Sequence, residues 1–184
     1  MAEKEVTFEL ATSESLPDVQ GLTDLINRVY RVSEDGLWKD ATFQRTCAEE
    51  VSDLIRKGEI VLARAGTSRV VLGCVQSRML DEKPTTGSFG MLVVDPDQRN
   101  RGIGKRLIEE AEKLARSRGA DTMQLELLHP KDWKQKNKAR LAEWYPILGY
   151  LKAEELDFEE LYPRLAPGLT SPCWFTVFSK RLNL

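Results

Sequence analysis

The segment that most constrains the fold is a strand, a turn and a helix between residues 89 and 119, FGMLVVDPDQRNRGIGKRLIEEAEKLARSRG. Residues 89–94 are too continuously apolar for a half-exposed strand, and the turn-forming residues 95–97 (Asp-Pro-Asp) end the run. Apolar residues then recur at the three-to-four spacing of one buried helix face: Ile103, Leu107, Ile108, Ala111, Leu114 and Ala115. Gly119 follows, where a helix C-terminus favours a residue that accepts a positive φ angle. The segment therefore predicts a buried strand that turns into an amphipathic helix.

The turn of this segment combines glycines with basic residues. The first backbone N–H groups of a helix have no partners, and the helix dipole makes that end positive. Gly102 and Gly104 lack the side chains that would keep a bulky anion from these groups. Between residues 98 and 118, seven basic residues stand against three acidic ones, in a chain of net charge −2. The pattern predicts a phosphate site; the alternative is a solvated basic helix with a tight entry turn.

Two other phosphate-binding motifs are excluded by the residues after the glycines. A P-loop requires Lys followed by Ser or Thr, whereas Lys105 is followed by Arg106. The dinucleotide motif GxGxxG requires a third glycine, and Leu107 stands at that position.

The pattern Arg99-x-x-Gly102-x-Gly104, between a buried strand and an amphipathic helix, resembles motif A of the GNAT N-acetyltransferase superfamily. In that family the loop wraps the pyrophosphate of acetyl-CoA, and the backbone of the preceding strand pairs with the pantetheine arm. Asn100 stands where the commoner motif often has its first glycine, and Asn tolerates left-handed backbone angles. The resemblance implies acetyl-CoA contacts at Leu92, Val93, Val94, Arg99, Asn100, Arg101, Gly102, Ile103, Gly104 and Lys105.

The length and composition of the chain limit the kinds of protein that it can be. With 184 residues, 41% hydrophobic and 30% charged, the chain is typical of one soluble globular domain, residues 1–184. Its slightly acidic balance argues against a nucleic-acid partner, and no run approaches the roughly 18 apolar residues of a membrane span. The first residues lack the apolar region of a secretory signal, so we expect a cytoplasmic protein. Cys47, Cys74 and Cys173 predict buried thiols, without a disulfide or a metal site.

The remaining segments predict the order β-α-α-β-β-β-α-β-α-β-β. The strands are expected at residues 7–11, 59–65, 70–79, 89–94, 122–128, 150–156 and 173–180, and helices are expected to begin near residues 15, 42, 103 and 131. This order is similar to that of a whole GNAT domain. The resemblance implies a single-domain α/β (α+β) fold with a twisted, mixed, mostly antiparallel sheet of about six to seven strands. About four helices would flank the sheet, which would splay at the strand of residues 89–94.

Residues 144–150, WYPILGY, resemble the family signature Phe-Tyr-x-x-x-Gly-Phe, in which the Tyr hydroxyl faces the CoA sulfur. The resemblance implies that Tyr145 is the acid that protonates the departing CoA thiolate, a role that suits a phenol with a pKa near 10. The alternative is a core residue on an amphipathic helix. Pro146 departs from the family pattern because it removes a helical hydrogen bond and kinks the last turn, which would shift Tyr145.

The general base is less well defined. Glu126, on the strand of residues 122–128, is a candidate that would accept the amine proton, or it is a paired surface carboxylate. His129, the only histidine, is a second candidate because its unperturbed pKa lies near 6.5. Many relatives use a water chain instead. Asn137 occupies roughly the place of an Asn that, in many relatives, binds the pantetheine or an ordered water, or it belongs to a solvated helix start.

The acceptor side is expected at the first helix pair and at the loop before the last strand. Asn27, Tyr30, Trp38 and Arg45 are the candidate wall, and the run Asn-Arg-Val-Tyr at residues 27–30 resembles small-molecule members. Acidic residues between 154 and 160 would favour a cationic acceptor, or they form a solvated strand and turn.

We therefore expect an acetyl-CoA-dependent N-acetyltransferase, acting as a monomer or a homodimer on a small-molecule primary amine. Two alternatives stay open: a protein N-terminal or lysine acetyltransferase, and a CoA-binding or sensor module with little activity.

Overall fold

The computed structural model describes residues 5–182, apart from the side chain of Thr67. Its strands are Val6–Leu10 (β1), Ile60–Ala65 (β2), Val70–Leu80 (β3), Lys83–Val94 (β4), Thr122–Pro130 (β5), Leu151–Asp157 (β6) and Cys173–Arg181 (β7). Its α-helices are Val19–Ser33 (α1), Ala48–Arg56 (α2), Ile103–Ser117 (α3), Lys136–Ile147 (α4) and Phe158–Leu161 (α5). Short 3-10 helices cover Ser13–Asp18, Gly66–Ser68, Pro96–Gln98 and Ala166–Gly168. The predicted domain limits, residues 1 and 184, lie outside the described residues.

All seven strands form one sheet in the order β1-β2-β3-β4-β5-β7-β6. Only β4 and β5 run parallel, and every other neighbouring pair is antiparallel. The predicted element order and the mixed, mostly antiparallel sheet are confirmed. One short helix, α5, is added between β6 and β7 because Asp157 caps the N–H of Glu159.

The predicted splay is also confirmed. β4 and β5 pair only from Thr86 to Ser88, opposite Thr122 to Gln124, although both strands continue well beyond these residues. The two strands therefore separate at Phe89, the first residue of the apolar run 89–94 at which the splay was expected.

The helices cover the two faces of the sheet. Leu107 and Ile108 of α3 and Tyr145 of α4 belong to the core on one face, whereas Ile26 of α1 and Val51 of α2 belong to the core on the other. Burial of these apolar side chains on both faces is the main source of stability. The splay thus opens between two helix layers.

The first helix, expected from near residue 15, begins as α1 at Val19, after the 3-10 helix Ser13–Asp18. Two further helices also begin later than predicted. α2 was expected from residue 42 but begins at Ala48, because the backbone of Thr46 bonds to the side chain of Asn27 and Cys47 is extended. α4 was expected from about residue 131 but begins at Lys136, because the side chain of Gln135 caps the N–H of Lys138. Both starts depend on side-chain hydrogen bonds that compete with helical ones.

The cysteine prediction was wrong for one residue. Cys47 is exposed, whereas Cys74 and Cys173 are buried. None of the described helices has the length and apolar character that a membrane crossing requires.

Candidate active site

A cleft of about 1060 Å³ opens where β4 and β5 separate. Its walls come from β4, β5, the N-terminal turn of α3 and the end of α1, together with α4 and the segment around α5. Because the sheet is interrupted there, side chains from both faces reach one space. The cleft is therefore the candidate site for a two-substrate reaction.

β4 carries a bulge where it borders the cleft. Cys74 pairs with Val93 and Gln76 with Gly90, so Met91 and Leu92 together face one residue of β3. Met91 has a φ angle of 46°, a conformation that costs about 1–3 kcal/mol for a residue other than glycine. Leu92 and Val94 consequently line the cleft, whereas the side chain of Val93 is buried in the core against α1 and α2. The predicted contact at Val93 is therefore possible only through its backbone.

One end of the cleft is the N-terminus of α3. Asn100 and Gly102 have φ angles of 61° and 74°, so Asn100 adopts the left-handed conformation that its tolerance suggested. Gly102 is the N-cap of α3, without a side-chain hydrogen bond, and it lines the cleft together with Arg99 and Lys105. Ile103 and Gly104 also line this end. The arrangement can hold a phosphate group.

Arg101 lies outside the cleft lining, and its guanidinium donates to the side chain of Gln98. Any contact of Arg101 with a phosphate would require this bond to open.

Tyr145 lies on the wall formed by α4. Its ring packs against Phe89, Tyr150 and Phe178, with ring centroids 6.2, 6.5 and 5.7 Å apart. Burial, and secondarily the nearby Tyr30, raise the pKa of its hydroxyl above the usual value, so the phenol stays protonated. No hydrogen bond found within residues 5–182 includes this hydroxyl, unlike that of Tyr150, which donates to Glu112 at 2.8 Å. Pro146 lies inside α4, which continues to Ile147.

Glu126 lines the same cleft from the other face of the sheet. Leu125 and Leu127 are buried in the core with Tyr145, so the alternation of β5 turns Glu126 to the side of α1 and α2. Loss of solvation raises the pKa of this carboxyl, while Arg78 and Lys83 oppose the shift. A raised pKa brings a carboxylate closer to the strength of a useful base.

His129 does not line the cleft. Its Nε2 lies 2.8 Å from the Thr176 hydroxyl, and its Nδ1 lies 3.2 Å from the carbonyl oxygen of Pro130. His129 therefore lies outside the cleft lining, with both ring nitrogens close to other groups, and the geometry does not favour it as the base.

Of the expected acceptor wall, Tyr30, Trp38 and Arg45 line the cleft, and Asn27 does not. The Asn27 side chain is 8% exposed, donates to the Thr46 carbonyl at 3.0 Å and accepts from the Thr46 N–H at 3.1 Å. The prediction of direct substrate contact at Asn27 is corrected, because both ends of its amide already hold the segment that carries Arg45.

Asn137 lines the cleft, but its amide nitrogen donates to the carbonyl of Val32 at the end of α1 at 3.1 Å. The side chain therefore joins α4 to α1, and its oxygen and its second amide hydrogen are left for a ligand.

Sequence reasoning missed several residues at the α1 and α2 side of the cleft. Arg78 and Ser88 lie there on β3 and β4, and Phe43, Phe158, Tyr162 and Phe175 join the predicted Trp38 to form an aromatic group. No local signal marks Arg78, because polar residues, Gln76 and Ser77, directly precede it on β3. Among the described residues, no group of three or more His, Cys, Asp and Glu side chains is placed to hold a metal ion.

The cleft with a glycine-rich helix N-terminus at one end agrees with comparison to known proteins. Residues 20–143 match the model of the acetyltransferase (GNAT) family. The chain belongs to this family. A comparison with curated proteins gives no match.

Solved structures of GNAT acetyltransferases share the fold. YncA of Salmonella typhimurium, a putative acetyltransferase with acetyl-CoA, is 15% identical at a TM-score of 0.69, over 98% of this chain and 95% of that one. The NatC complex bound to Gag peptide and CoA is 17% identical at a TM-score of 0.67, over 97% and 99%. N-acetylglutamate synthase of Neisseria gonorrhoeae, with coenzyme A and N-acetyl-glutamate, is 19% identical at a TM-score of 0.64, over 99% of this chain. This GNAT chain spans 36% of the synthase.

Proposed function

We propose that this GNAT protein transfers the acetyl group of acetyl-CoA to the primary amine of a small molecule, by direct attack in a ternary complex. The observation that carries the proposal is the position of Tyr145 and Glu126 on opposite faces of the sheet, in one cleft that ends at the N-terminus of α3. An acid on one side and a base on the other suit a reaction in which an amine attacks from one side and the CoA thiolate departs on the other.

The phosphate end supports acetyl-CoA as the donor. The left-handed Asn100 and Gly102 expose the first N–H groups of α3, and Arg99 and Lys105 add positive charge. From there the cleft passes Leu92 and Val94 of β4 towards Tyr145. β4 has no strand partner on that side beyond Ser88, so its backbone can pair with the amides of a pantetheine arm.

The reaction requires two proton transfers, one on each face of the sheet. The amine nitrogen attacks the thioester carbonyl carbon, the carbon–sulfur bond breaks, and the thiolate accepts the proton of Tyr145. Glu126 accepts the proton that the amine loses. The Tyr145 hydroxyl is a weak acid because burial raises its pKa. The same dry surroundings also raise the pKa of the departing thiol, which reduces the difference between the two pKa values.

Contacts between two loops beside the acceptor wall support a small amine over a protein chain. The loop with Trp38 pairs with Leu169 in an isolated bridge, and the Lys39 N–H donates to the Gly168 carbonyl at 2.8 Å. The Thr170 hydroxyl donates to the Gly36 carbonyl at 2.6 Å. These contacts join two loops at Trp38, a residue of the acceptor wall.

The test is an assay of CoA thiol release with small primary amines and, separately, with a peptide that has a free N-terminus and a lysine. Acetylation of a small amine, identified by mass spectrometry, is the expected result. Release with the peptide alone would support the protein acetyltransferase instead. No release with either substrate, although acetyl-CoA stabilises the protein, would indicate a CoA-binding module.

A further inference from the structure

Two arginines at the acceptor end of the cleft have no carboxylate partner. Arg45 and Arg78 both line the cleft, and none of the ion pairs found within residues 5–182 includes either of them. By contrast, Arg64, which is 3% exposed, contacts both Glu9 and Asp18. A guanidinium held in a cleft without an anion is a site for an anionic ligand group.

The sheet register places Arg78 in a row with the proposed base. Arg78 lies opposite Ser88 on β3 and β4, and Ser88 pairs with Gln124 on β5. Paired residues point to the same face, and Glu126 follows Gln124 by two residues, so it shares that face. Arg78 and Glu126 therefore point into the same side of the cleft, on either side of the splay.

Arg45 enters this space from the segment before α2, and its position is fixed. Its guanidinium carbon lies 5.5 Å from the centre of the Tyr30 ring. The neighbouring Thr46 is held on both backbone polar groups by Asn27. The arginine is consequently presented by a braced segment, which reduces the entropy lost when a ligand binds.

The hydroxyl of Tyr162 lies in the same part of the cleft as Arg45, Arg78 and the carboxylate of Glu126. Loss of solvation raises the pKa of its hydroxyl; the charge of Glu126 adds to the shift, whereas Arg78 and Arg45 oppose it. Glu126, Arg78 and Arg45 are therefore all close enough to the Tyr162 hydroxyl to influence its pKa. Its ring belongs to the aromatic group described above, with centroids 5.0 Å from Phe158 and 5.8 Å from Phe175.

The aromatic group gives the same end an apolar wall. Trp38 stacks on Phe43 with a centroid distance of 3.9 Å, and Phe158 stacks on Phe175 at 5.6 Å. Such a wall suits a ring or a branched apolar group, while the charges suit a carboxylate or a phosphate with an amine close by.

We propose, building on the proposed function, that the acceptor is a small amine that also carries an anionic group and an apolar portion, such as an aromatic α-amino acid. The anionic group lies between Arg45 and Arg78, the amine faces Glu126, and the apolar portion packs against the aromatic group. None of the acidic residues between 154 and 160 lines the cleft. Asp157 binds Lys131, and Glu155 binds Lys152 and Thr176.

The experiment compares acceptors that differ only in the anionic group. Phenylalanine is set against phenethylamine and phenylalanine amide, and O-phosphoethanolamine against ethanolamine, so that carboxylate and phosphate are distinguished. For each acceptor, kcat/KM is measured by thiol release with the wild type, Arg78→Met and Arg45→Met. Arg56→Met, on the exposed side of α2, makes the same charge change outside the cleft. Binding of N-acetylphenylalanine and N-acetylphenethylamine to the CoA-loaded protein is measured in parallel.

We expect kcat/KM for the anionic member of a pair to exceed that for the neutral one, and to fall about 10- to 100-fold in Arg78→Met and Arg45→Met. The ratio of kcat/KM between the anionic and the neutral member of a pair is the diagnostic quantity, because removal of Arg78 also changes the charge near Glu126. This ratio should fall in both cleft variants, and all values for Arg56→Met should stay within about twofold of the wild type. Equal use of charged and neutral acceptors, an unchanged preference in both cleft variants, or equal binding of the two acetylated ligands would overturn the proposal. Acetylation of neutral amines alone would leave the proposed function intact, whereas loss of stabilisation by acetyl-CoA would count against both.

Discussion

The ammonium group of Lys138 lies 2.8 Å from the carboxylate of Glu34, and the two side chains are 6% and 9% exposed. The same carboxylate accepts a hydrogen bond from the indole N–H of Trp38 at 2.8 Å. Glu34 follows α1, Trp38 lies on the acceptor wall, and Lys138 is on α4, the helix that carries Tyr145. This ion pair therefore joins the acceptor wall to the helix that carries the proposed acid.

Removal of the charge of Glu34 should destabilise the protein strongly. Glu34→Gln leaves the ammonium group of Lys138 buried without an anion, which typically costs about 3–5 kcal/mol. The double change Glu34→Leu with Lys138→Met should recover much of that free energy of unfolding, since it removes both charges. Urea denaturation measures the free energy of unfolding of each variant. Asp53→Asn, in an exposed pair with Arg56, is the control and should cost less than about 1 kcal/mol. A loss for Glu34→Gln as small as that of the control would contradict the interpretation.

Tyr145→Phe should lower kcat without lowering stability. Its hydroxyl has no partner within the described residues, so its loss leaves no buried group unsatisfied, while the loss of a general acid typically costs about 100-fold in rate. The KM for acetyl-CoA should stay nearly constant. Tyr150→Phe is the matched control: it removes a hydroxyl that donates to the buried Glu112, and should cost about 1.5–3 kcal/mol of stability. A Tyr145→Phe enzyme of unchanged kcat would remove the acid role from Tyr145.

Glu126→Gln should remove the acidic limb of the pH–rate profile. The carboxylate is the basic form, so the rate should fall as the pH decreases through the pKa of Glu126, which loss of solvation holds above its usual value. The buried phenol of Tyr145 has a raised pKa and should add no basic limb below about pH 10. Glu154→Gln, on the edge strand β6, is the control and should keep the wild-type profile. An acidic limb that persists at the same pH in Glu126→Gln would show that another group, or water, is the base.

The sequence predicted the elements whose signals are local. The strand, turn and helix around Gly102 were found because apolar periodicity, turn residues and the tolerance of Asn100 for a positive φ angle lie within one segment. The order of elements and the splay then followed from the resemblance to the family. Tyr145 was found from its neighbours along the chain, Trp144 and Gly149.

The features that were missed depend on partners distant in sequence. Asn27 looks like a polar ligand on a helix, but its partner is the backbone of Thr46, 19 residues away. The late start of α4 depends on Gln135, which is not among the strongly preferred capping residues. An exposed arginine such as Arg78 looks the same in a sequence whether it faces solvent or a cleft. Only the register of β3, β4 and β5 places it beside Glu126.

The central claim is that acetyl-CoA binds with its phosphates at the N-terminus of α3, and thermal melting with acetyl-CoA tests it most directly. Ligand at a hundredfold excess over its dissociation constant should stabilise the wild type by about 2.7 kcal/mol. For a chain of this size, Tm should rise by about 2–4 °C per kcal/mol. Gly102→Glu should abolish the rise, because it places a carboxylate beside the proposed phosphate site.

Gly119→Glu is the matched control at the other end of α3. Gly119 also has a positive φ angle, 93° against 74° for Gly102, and at both positions a Cβ atom would meet no heavy atom within 4 Å. Both variants place a glutamate at a left-handed backbone position, and the two ends of the helix respond differently to its charge, so each variant is compared with its own ligand-free Tm. The account predicts a normal rise in Gly119→Glu and none in Gly102→Glu. Equal rises in the two variants, or no rise in the wild type, would contradict it.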